Sequence, residues 1–201
     1  MNPMHLYERL SLHGTGIALG VWLVVMHAFM LAKAETVQAF LKKFPRNQAL
    51  GQILLAIGLF WFWFLVQKPQ GRWYQFLAMD LGEFNGLKGY LALLVPLSVV
   101  AVGVAVKEFL AVRALGLLGL MVAAPLFEAA FLKDPQSRLL VPAFALVLVI
   151  NSLYWVGMPY LFRDTVTWAM ANQRRWHILC GTGLGYGIAV LACAVLFWKG
   201  Y

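Results

Sequence analysis

Acidic residues and cysteine are both scarce in this chain of 201 residues. Asp and Glu together number eight, and most of them lie outside the apolar stretches, so few carboxyl groups are left for acid–base chemistry. The two cysteines, Cys180 and Cys193, lie on one predicted helix, roughly 20 Å apart at about 1.5 Å per residue. A disulfide needs Cα atoms about 4.4 to 6.8 Å apart, so these two cysteines cannot form one with each other.

Sequence motifs of catalytic sites are also missing. The chain has no Cys/His cluster at zinc spacing, no HExxH, no glycine loop that would cradle a phosphate and no nucleophile elbow. From these motifs we therefore predict no catalytic residue and no metal ligand, and we expect no catalytic activity of the chain on its own. Nucleic acid is excluded as a partner, because no soluble segment is large enough to carry a basic face.

Apolar sequence dominates what is present. Hydrophobic residues make up 62% of the chain, and the mean hydropathy is +0.77. About 20 mostly apolar residues cross a bilayer core once as a helix, and none of the apolar runs alternates as barrel strands do. The sequence therefore predicts an all-α polytopic membrane bundle, a single integral membrane domain over residues 1–201 with six transmembrane helices. The predicted spans are 12–32, 49–66, 87–106, 109–132, 139–162 and 178–198.

Charged and aromatic residues define the connections between these spans. Lys107 and Glu108 divide one long apolar run, which predicts a tight turn there. Residues 71–90 predict a short interfacial helix and turn. The first apolar run has full spanning length and no small-residue cleavage site after it, so we expect the first helix to be retained rather than cleaved as a signal.

The net charge of +8 is typical of a membrane protein with short basic loops. Lys and Arg at helix ends hold them at anionic headgroups, so we expect a bilayer with anionic lipids, a cytoplasmic (inner) membrane, as the surroundings. The side on which the first helix ends carries nine basic residues and the side of the termini seven. This bias favours both termini outside the cytoplasm.

Glycine recurs at helix-packing spacing in the first and last spans. The strings GTGIALG and GTGLGYG contain the pairs Gly16/Gly20, Gly181/Gly185 and Gly183/Gly187. Small residues four apart let two helices approach closely in lipid. We therefore predict that the first and last helices pack against each other.

Three polar residues within the spans are candidate functional residues, because buried polar groups in a membrane helix are costly. Arg113 lies four residues into its span and can extend to the interface. Glu128, three residues after Pro125, is either a carboxyl group with a structural partner or a proton-relay group. Asn151 lies near the middle of its helix. Pro125 removes one helix hydrogen bond and is expected to kink the helix.

Histidines mark one face of the first helix. His13, Gly20 and His27 recur every seven residues, so the two histidines lie about 21 Å apart along the axis with a glycine midway. Such spacing suits haem ligation near each membrane surface. The segment YERLSLHGTGIALGVWLVVMHAFM resembles the first helix of the cytochrome b membrane-anchor subunit of succinate dehydrogenases and fumarate reductases. This resemblance implies haem b as cofactor and a histidine ligand on this helix.

A single cofactor site is the most that the histidines support, because spans two to five contain none. His27 and His177 are expected on the same side of the membrane, so they are the predicted pair for a haem or a metal, with His13 as a further candidate for haem or pigment. The alternative is that His13 and His27 form hydrogen bonds across helices or to chlorophyll or quinone head groups bound to a neighbour.

Three functions are compatible with these residues. The first, which we favour, is a non-catalytic membrane subunit or scaffold of a larger membrane complex, with other membrane subunits as partners. The second is electron transfer with haem b or quinone. The third is a small transporter or channel, which would use polar residues of the spans and helices broken at proline: Glu128, Asn151, Pro96, Pro125, Pro142 and Pro159.

Overall fold

The apolar runs fold as helices, because lipid offers no partner to free backbone N–H and C=O groups. The computed structural model describes residues 5–68, 77–105 and 108–201, and this part of the chain contains no strand. All of its α-helices except α2 and α7 are long and apolar enough to cross a bilayer, which confirms the predicted all-α bundle of six spanning helices. The helices are α1 (Leu12–Ala32), α2 (Ala34–Lys43), α3 (Gln48–Leu65), α4 (Lys88–Ala105), α5 (Leu110–Ala130), α6 (Leu140–Gly157), α7 (Tyr160–Met170) and α8 (Gln173–Phe197).

Four of the predicted spans agree with the helices to within two residues at every described end. The predicted fifth span, 139–162, is wrong at its C-terminal end. Helix α6 ends at Gly157, because Pro159 has no N–H to donate and its ring clashes with the preceding turn. A separate helix, α7, begins directly after this proline.

The predicted last span, 178–198, begins too late. Helix α8 begins at Gln173, because the Asn172 side chain caps it by accepting a hydrogen bond from the backbone N–H of Arg174 at 2.8 Å. His177 therefore lies inside α8 and not before the span.

The structure describes part of each predicted connection, the turn at Lys107–Glu108 and the interfacial stretch 71–90. Helices α4 and α5 are separate, and Phe109, just before α5, adopts a left-handed backbone conformation with φ of 56°. Val106 and Lys107 lie outside the described residues. Within the predicted interfacial stretch 71–90, a 3-10 helix spans Gly82–Leu87 and leads into α4, whereas residues 69–76 lie outside the described residues.

The spanning helices pack in a definite lateral order. Helix α1 packs along α8, α5 packs between α6 and α3, and α4 contacts mainly α3 at the edge of the bundle. One core cluster joins α1, α5, α6 and α8, with Leu12, Leu126, Val141 and Val190 among its buried members. Helix α6 thus belongs to the centre of the bundle together with the first, fourth and last spans.

Candidate functional site

Glycines form the contact between α1 and α8. Gly20 lies so close to α8 that a Cβ atom there would be 2.9 Å from the backbone nitrogen of Leu191. Across the interface, a Cβ atom at Gly187 would be 2.8 Å from the Cβ atom of Leu23. Only glycine permits backbones this close, which confirms that the first and last helices pack through small residues.

His13 ties the beginning of α1 to the end of α8. Its Nδ1–H donates to the carbonyl oxygen of Ala194 at 2.8 Å, because a carbonyl can only accept. Ala194 lies in the last turn of α8, where carbonyls lack donors within the helix. The backbone N–H of His13 donates in turn to the carbonyl of Tyr201 at 3.3 Å. The hydrogen bond of His13 across helices is therefore present.

Trp198 fills the same end of the interface. Its ring is 0% exposed and lies against Gly16, where an added Cβ atom would overlap it. Its indole N–H donates to the Ser137 hydroxyl, with 2.8 Å between Nε1 and Oγ. The chain end after α8 is thus fixed to both α1 and the segment that precedes α6.

His27 faces α8 near the other end of the interface. Its Nδ1–H donates to the carbonyl of Leu23, one turn earlier in α1, at 2.8 Å. That bond leaves Nε2 as the unprotonated nitrogen of the neutral ring. Nε2 lies against Gly183, so close that an added Cβ atom there would overlap it. With the ring in this orientation, ligation of a metal or a haem iron by Nε2 would require α1 and α8 to separate.

His177 lies on a different face of α8. It is exposed, and its Nδ1–H donates to the carbonyl of Gln173 in its own helix at 2.6 Å. At about 100° per residue it is turned about 240° from Gly183, the residue that His27 contacts. The neighbouring Trp176 faces α1, where its indole N–H donates to the Met30 carbonyl at 3.2 Å.

The described part of the chain contains no cluster of potential metal ligands. Among its His, Cys, Asp and Glu side chains, no three lie close enough together to hold a metal ion. Cys180 and Cys193 are both free thiols. The assignment of His13, His27 and His177 to a haem or pigment remains a prediction that this packing does not test.

Arg113 caps the end of a neighbouring helix. Its guanidinium donates through Nη1 to the carbonyl of Val156 in the last turn of α6, at 3.0 Å. A cation at a helix C-terminus is favourable, because the terminal carbonyls carry partial negative charge. Arg113 is half-buried and stabilises the α5–α6 pair from inside the bundle, in addition to any reach toward the membrane surface.

Close packing of α5 against α6 depends on residues that the sequence analysis missed. Gly119 of α5 lies against the hydroxyl of Ser152, which is 0% exposed and has no hydrogen-bond partner among the described residues. Gly116 lies against the backbone carbonyl of Ser152, where a Cβ atom would be 2.7 Å from the oxygen. The sequence feature that predicts this contact is the pair Gly116 and Gly119, about one turn apart in the fourth span, together with a small residue, Ser152, in the fifth.

Glu128 and Asn151 occupy unlike positions. Glu128 is half-buried near the end of α5, and its carboxylate makes no hydrogen bond or ion pair within the described ranges. Asn151 is exposed in the second half of α6, and its side-chain amide donates to the carbonyl of Val147 at 2.8 Å. Pro125 lies inside α5, and the helix continues through it. The structure does not join these two polar residues into one site.

An apolar cleft of about 480 Å³ lies between α3 and α4. Ile57, Phe60 and Trp63 line it on one side, and Val95 and Val99 on the other. None of its lining residues is titratable, so it offers no acid, base or ligand for chemistry.

A second glycine groove on α8 faces away from α1. A Cβ atom added at Gly181 or at Gly185 would meet no described atom within 4 Å. Ala189, one turn further along, is exposed as well. We refer to Gly181, Gly185 and Ala189 as the outer α8 groove. Helix α8 therefore has one small-residue face filled by α1 and another that no described residue fills.

Comparison with known proteins gives no assignment. The chain matches no protein-family model, and no curated protein or solved structure is significantly similar to it. The resemblance of the first helix to cytochrome b anchor subunits therefore stays a prediction.

Proposed function

We propose that this integral membrane protein is a non-catalytic subunit of a larger membrane complex and that a transmembrane helix of its partner packs on α8. The observation that carries the proposal is the outer α8 groove. It has the helix-packing spacing of the groove that α1 fills, and no described residue occupies it.

Two glycines in a helix lower its stability unless a close contact offsets their cost. Each costs about 1 kcal/mol relative to alanine in a helix interior. Gly183 and Gly187 receive that compensation, because the side chains of His27 and Leu23 pack into them. Gly181 and Gly185 receive none within the described chain. Lipid chains are a poor filling, whereas the backbone of another helix gains close packing there.

Asn151 supports a partner on the outside of the bundle. Its carboxamide oxygen accepts no hydrogen bond from a described residue, although the residue lies within a spanning helix and is exposed. Its large neighbours on the same exposed face, Val147, Ile150 and Tyr154, are apolar or aromatic. A polar side chain in this setting is stabilised when a neighbouring helix supplies a donor.

Site-specific photo-crosslinking in native membranes tests the proposal. A photoreactive residue replaces Thr182, which is exposed beside the outer α8 groove, and in a matched control it replaces Val100, which is 64% exposed on α4. We expect a discrete crosslinked band from position 182 and none from position 100. Its mass distinguishes a second copy of this chain from a different subunit. Equal diffuse labelling at both positions would contradict the proposal.

A pair of bulky substitutions provides the second measurement. Gly185→Leu fills the outer α8 groove, whereas Gly103→Leu adds the same side chain to α4, where a Cβ atom also meets no described atom within 4 Å. We expect Gly185→Leu to release the chain from its complex on native gels in mild detergent, with unfolding of the isolated chain unchanged. Wild-type protein that migrates as a monomer of 22.5 kDa plus detergent would overturn the proposal.

A further inference from the structure

Two short helices lie together at the face of the bundle where α1 ends. Helices α2 and α7 contain 10 and 11 residues, which corresponds to about 15 to 17 Å of helix. That is too short to cross a hydrocarbon core of roughly 30 Å. They pack on each other, and we call residues 33–46 and 160–175 the α2–α7 layer.

The α2–α7 layer is fixed to the spanning helices. The rings of Phe44 and Phe162 pack with centroids 5.7 Å apart, and both belong to a buried cluster with Ala111 and Val112 at the start of α5. The layer therefore has a defined position at the end of the bundle where α5 begins. It is not a free loop that could fold back onto another part of the chain.

The outer side of the layer is basic. It carries two acids, Glu35 and Asp164, and Asp164 is already paired with Arg163 at 2.9 Å. Glu108 is a further acid near this face. The basic residues of the layer are all exposed, and they are Lys33, Lys42, Lys43, Arg46, Arg163, Arg174 and Arg175.

Aromatic side chains accompany these charges. Trp168 is 52% exposed, and the guanidinium of Arg175 lies 5.0 Å from the centre of its ring. Phe40, on α2, is 50% exposed. Exposed aromatic rings beside Lys and Arg are typical of helices that lie in the headgroup region.

The opposite face of the bundle has a different balance of basic and acidic residues. Lys88 is buried there, and its ammonium donates to the carbonyl of Met79 at 2.6 Å, so it is not free for a lipid. The remaining charges described on that face are nearly matched in number. They are Arg9, Lys68, Lys133, Arg138 and Lys199, against Glu8, Asp80, Glu83 and Asp134.

From this asymmetry we infer that the α2–α7 layer binds the phosphate-bearing headgroups of anionic phospholipids. The excess of exposed cations complements their charge, and the exposed aromatic rings enter the acyl boundary beneath them. Anionic phospholipids are concentrated in the cytoplasmic leaflet, so both chain termini would lie on the other side of the membrane. This inference does not depend on the partner proposed for α8.

Lipid selection by the purified full-length protein tests the inference. The chain in mild detergent is equilibrated with equal amounts of phosphatidylglycerol and phosphatidylcholine, and bound lipids are counted by native mass spectrometry. One variant neutralises the layer, and a control neutralises the same number of charges on the opposite face. The layer variant carries Lys42→Gln, Lys43→Gln, Arg46→Gln, Arg174→Gln and Arg175→Gln; the control carries Arg9→Gln, Lys68→Gln, Lys133→Gln, Arg138→Gln and Lys199→Gln.

We expect the ratio of bound phosphatidylglycerol to phosphatidylcholine to fall at least about fivefold in the layer variant, the factor for losing even one basic charge beside anionic headgroups. The control should lower it less than the layer variant does, because the cations that it removes lie on a face with nearly as many acidic residues. Raising the salt to 1 M should lower the ratio for the wild-type chain, because salt screens the attraction between the basic residues and the headgroups. This test requires no substituted variant. Equal effects of the two variants, or a wild-type ratio of one at low salt, would overturn the inference.

Discussion

Gly187→Ala should destabilise the isolated chain, because the added methyl group has no space between α1 and α8. It would lie 2.8 Å from Leu23 Cβ and 3.0 Å from the backbone nitrogen of Val24. Non-bonded carbon atoms pack about 3.5 to 4.0 Å apart, so the two helices must separate locally by about 0.7 to 1.2 Å. Overpacking of this kind costs about 1 to 3 kcal/mol of unfolding free energy.

The same substitution at Gly185 is the matched control. It lies two residues away on the same helix and gains the same helix propensity, about 1 kcal/mol at most, but its methyl group meets open space. The propensity gain cancels in the comparison. The free energies of unfolding of Gly187→Ala and Gly185→Ala should therefore differ by the overpacking cost alone, about 1 to 3 kcal/mol.

Reversible unfolding in mixed micelles measures this difference. The chain in mild detergent is titrated with sodium dodecyl sulfate, and loss of structure is followed by tryptophan fluorescence and circular dichroism. If Gly187→Ala and Gly185→Ala unfold at the same denaturant fraction, the assignment of the two glycine faces is refuted. A lower stability of Gly185→Ala than of Gly187→Ala would reverse that assignment.

Three further predictions concern single side chains and the same unfolding assay. Arg113→Met removes the cation that caps α6 and should lower the free energy of unfolding by about 1 to 2 kcal/mol. Arg113→Lys keeps a cation there and should lose less. An unchanged stability of the Met variant would show that the cap contributes nothing. His13→Ala should cost about 1 kcal/mol by removing the hydrogen bond to the end of α8. The reference is His177→Ala, at an exposed histidine whose ring donates to a carbonyl of its own helix. Burial raises the pKa of the Tyr7 hydroxyl, which accepts a hydrogen bond from Trp61 at 2.7 Å, so wild-type stability should fall as the pH rises above 10.0, the ordinary pKa of tyrosine. Tyr7→Phe should lessen that alkaline loss, and an alkaline loss of the same size in Tyr7→Phe and in the wild-type chain would contradict the prediction.

Hydropathy was sufficient to predict the spanning helices, because length and apolar composition alone determine which segments can cross a bilayer. The two wrong bounds arose where polar signals compete with hydropathy. Pro159 ends α6 although apolar residues continue beyond it, and Asn172 starts α8 before its apolar run begins. Both signals are readable in the sequence, since proline and an asparagine cap act locally.

Residues that face one another could be predicted only in part. The spacing of His13, Gly20 and His27 predicts a common face of α1, and the structure confirms it, because all three contact α8. Their partner could not be predicted, since the same face would suit a flat cofactor or the backbone of a helix. Here α8 supplies a carbonyl at one end and a glycine at the other.

The sequence likewise could not predict which of the α8 glycines contact α1. Gly181 and Gly183 are two residues apart and therefore point about 200° from each other, so the two overlapping pairs cannot share one partner. Spacing identifies two packing faces but does not determine which of them meets α1. That choice depends on the connections and on the core formed with α5 and α6.

The haem and subunit hypotheses require different states of the interface between α1 and α8. A haem ligated by His27 Nε2 would have to displace the backbone around Gly183 and open an interface in which Gly20 and Gly187 hold two backbones in contact. A partner helix on the outer α8 groove leaves that interface closed. Haem bands in a reduced-minus-oxidised spectrum of the purified wild-type chain that disappear in His27→Ala would therefore require an α1–α8 pair unlike the one described. Crosslinking from Thr182 together with a featureless spectrum is the combination that the close packing of His27 against Gly183 favours.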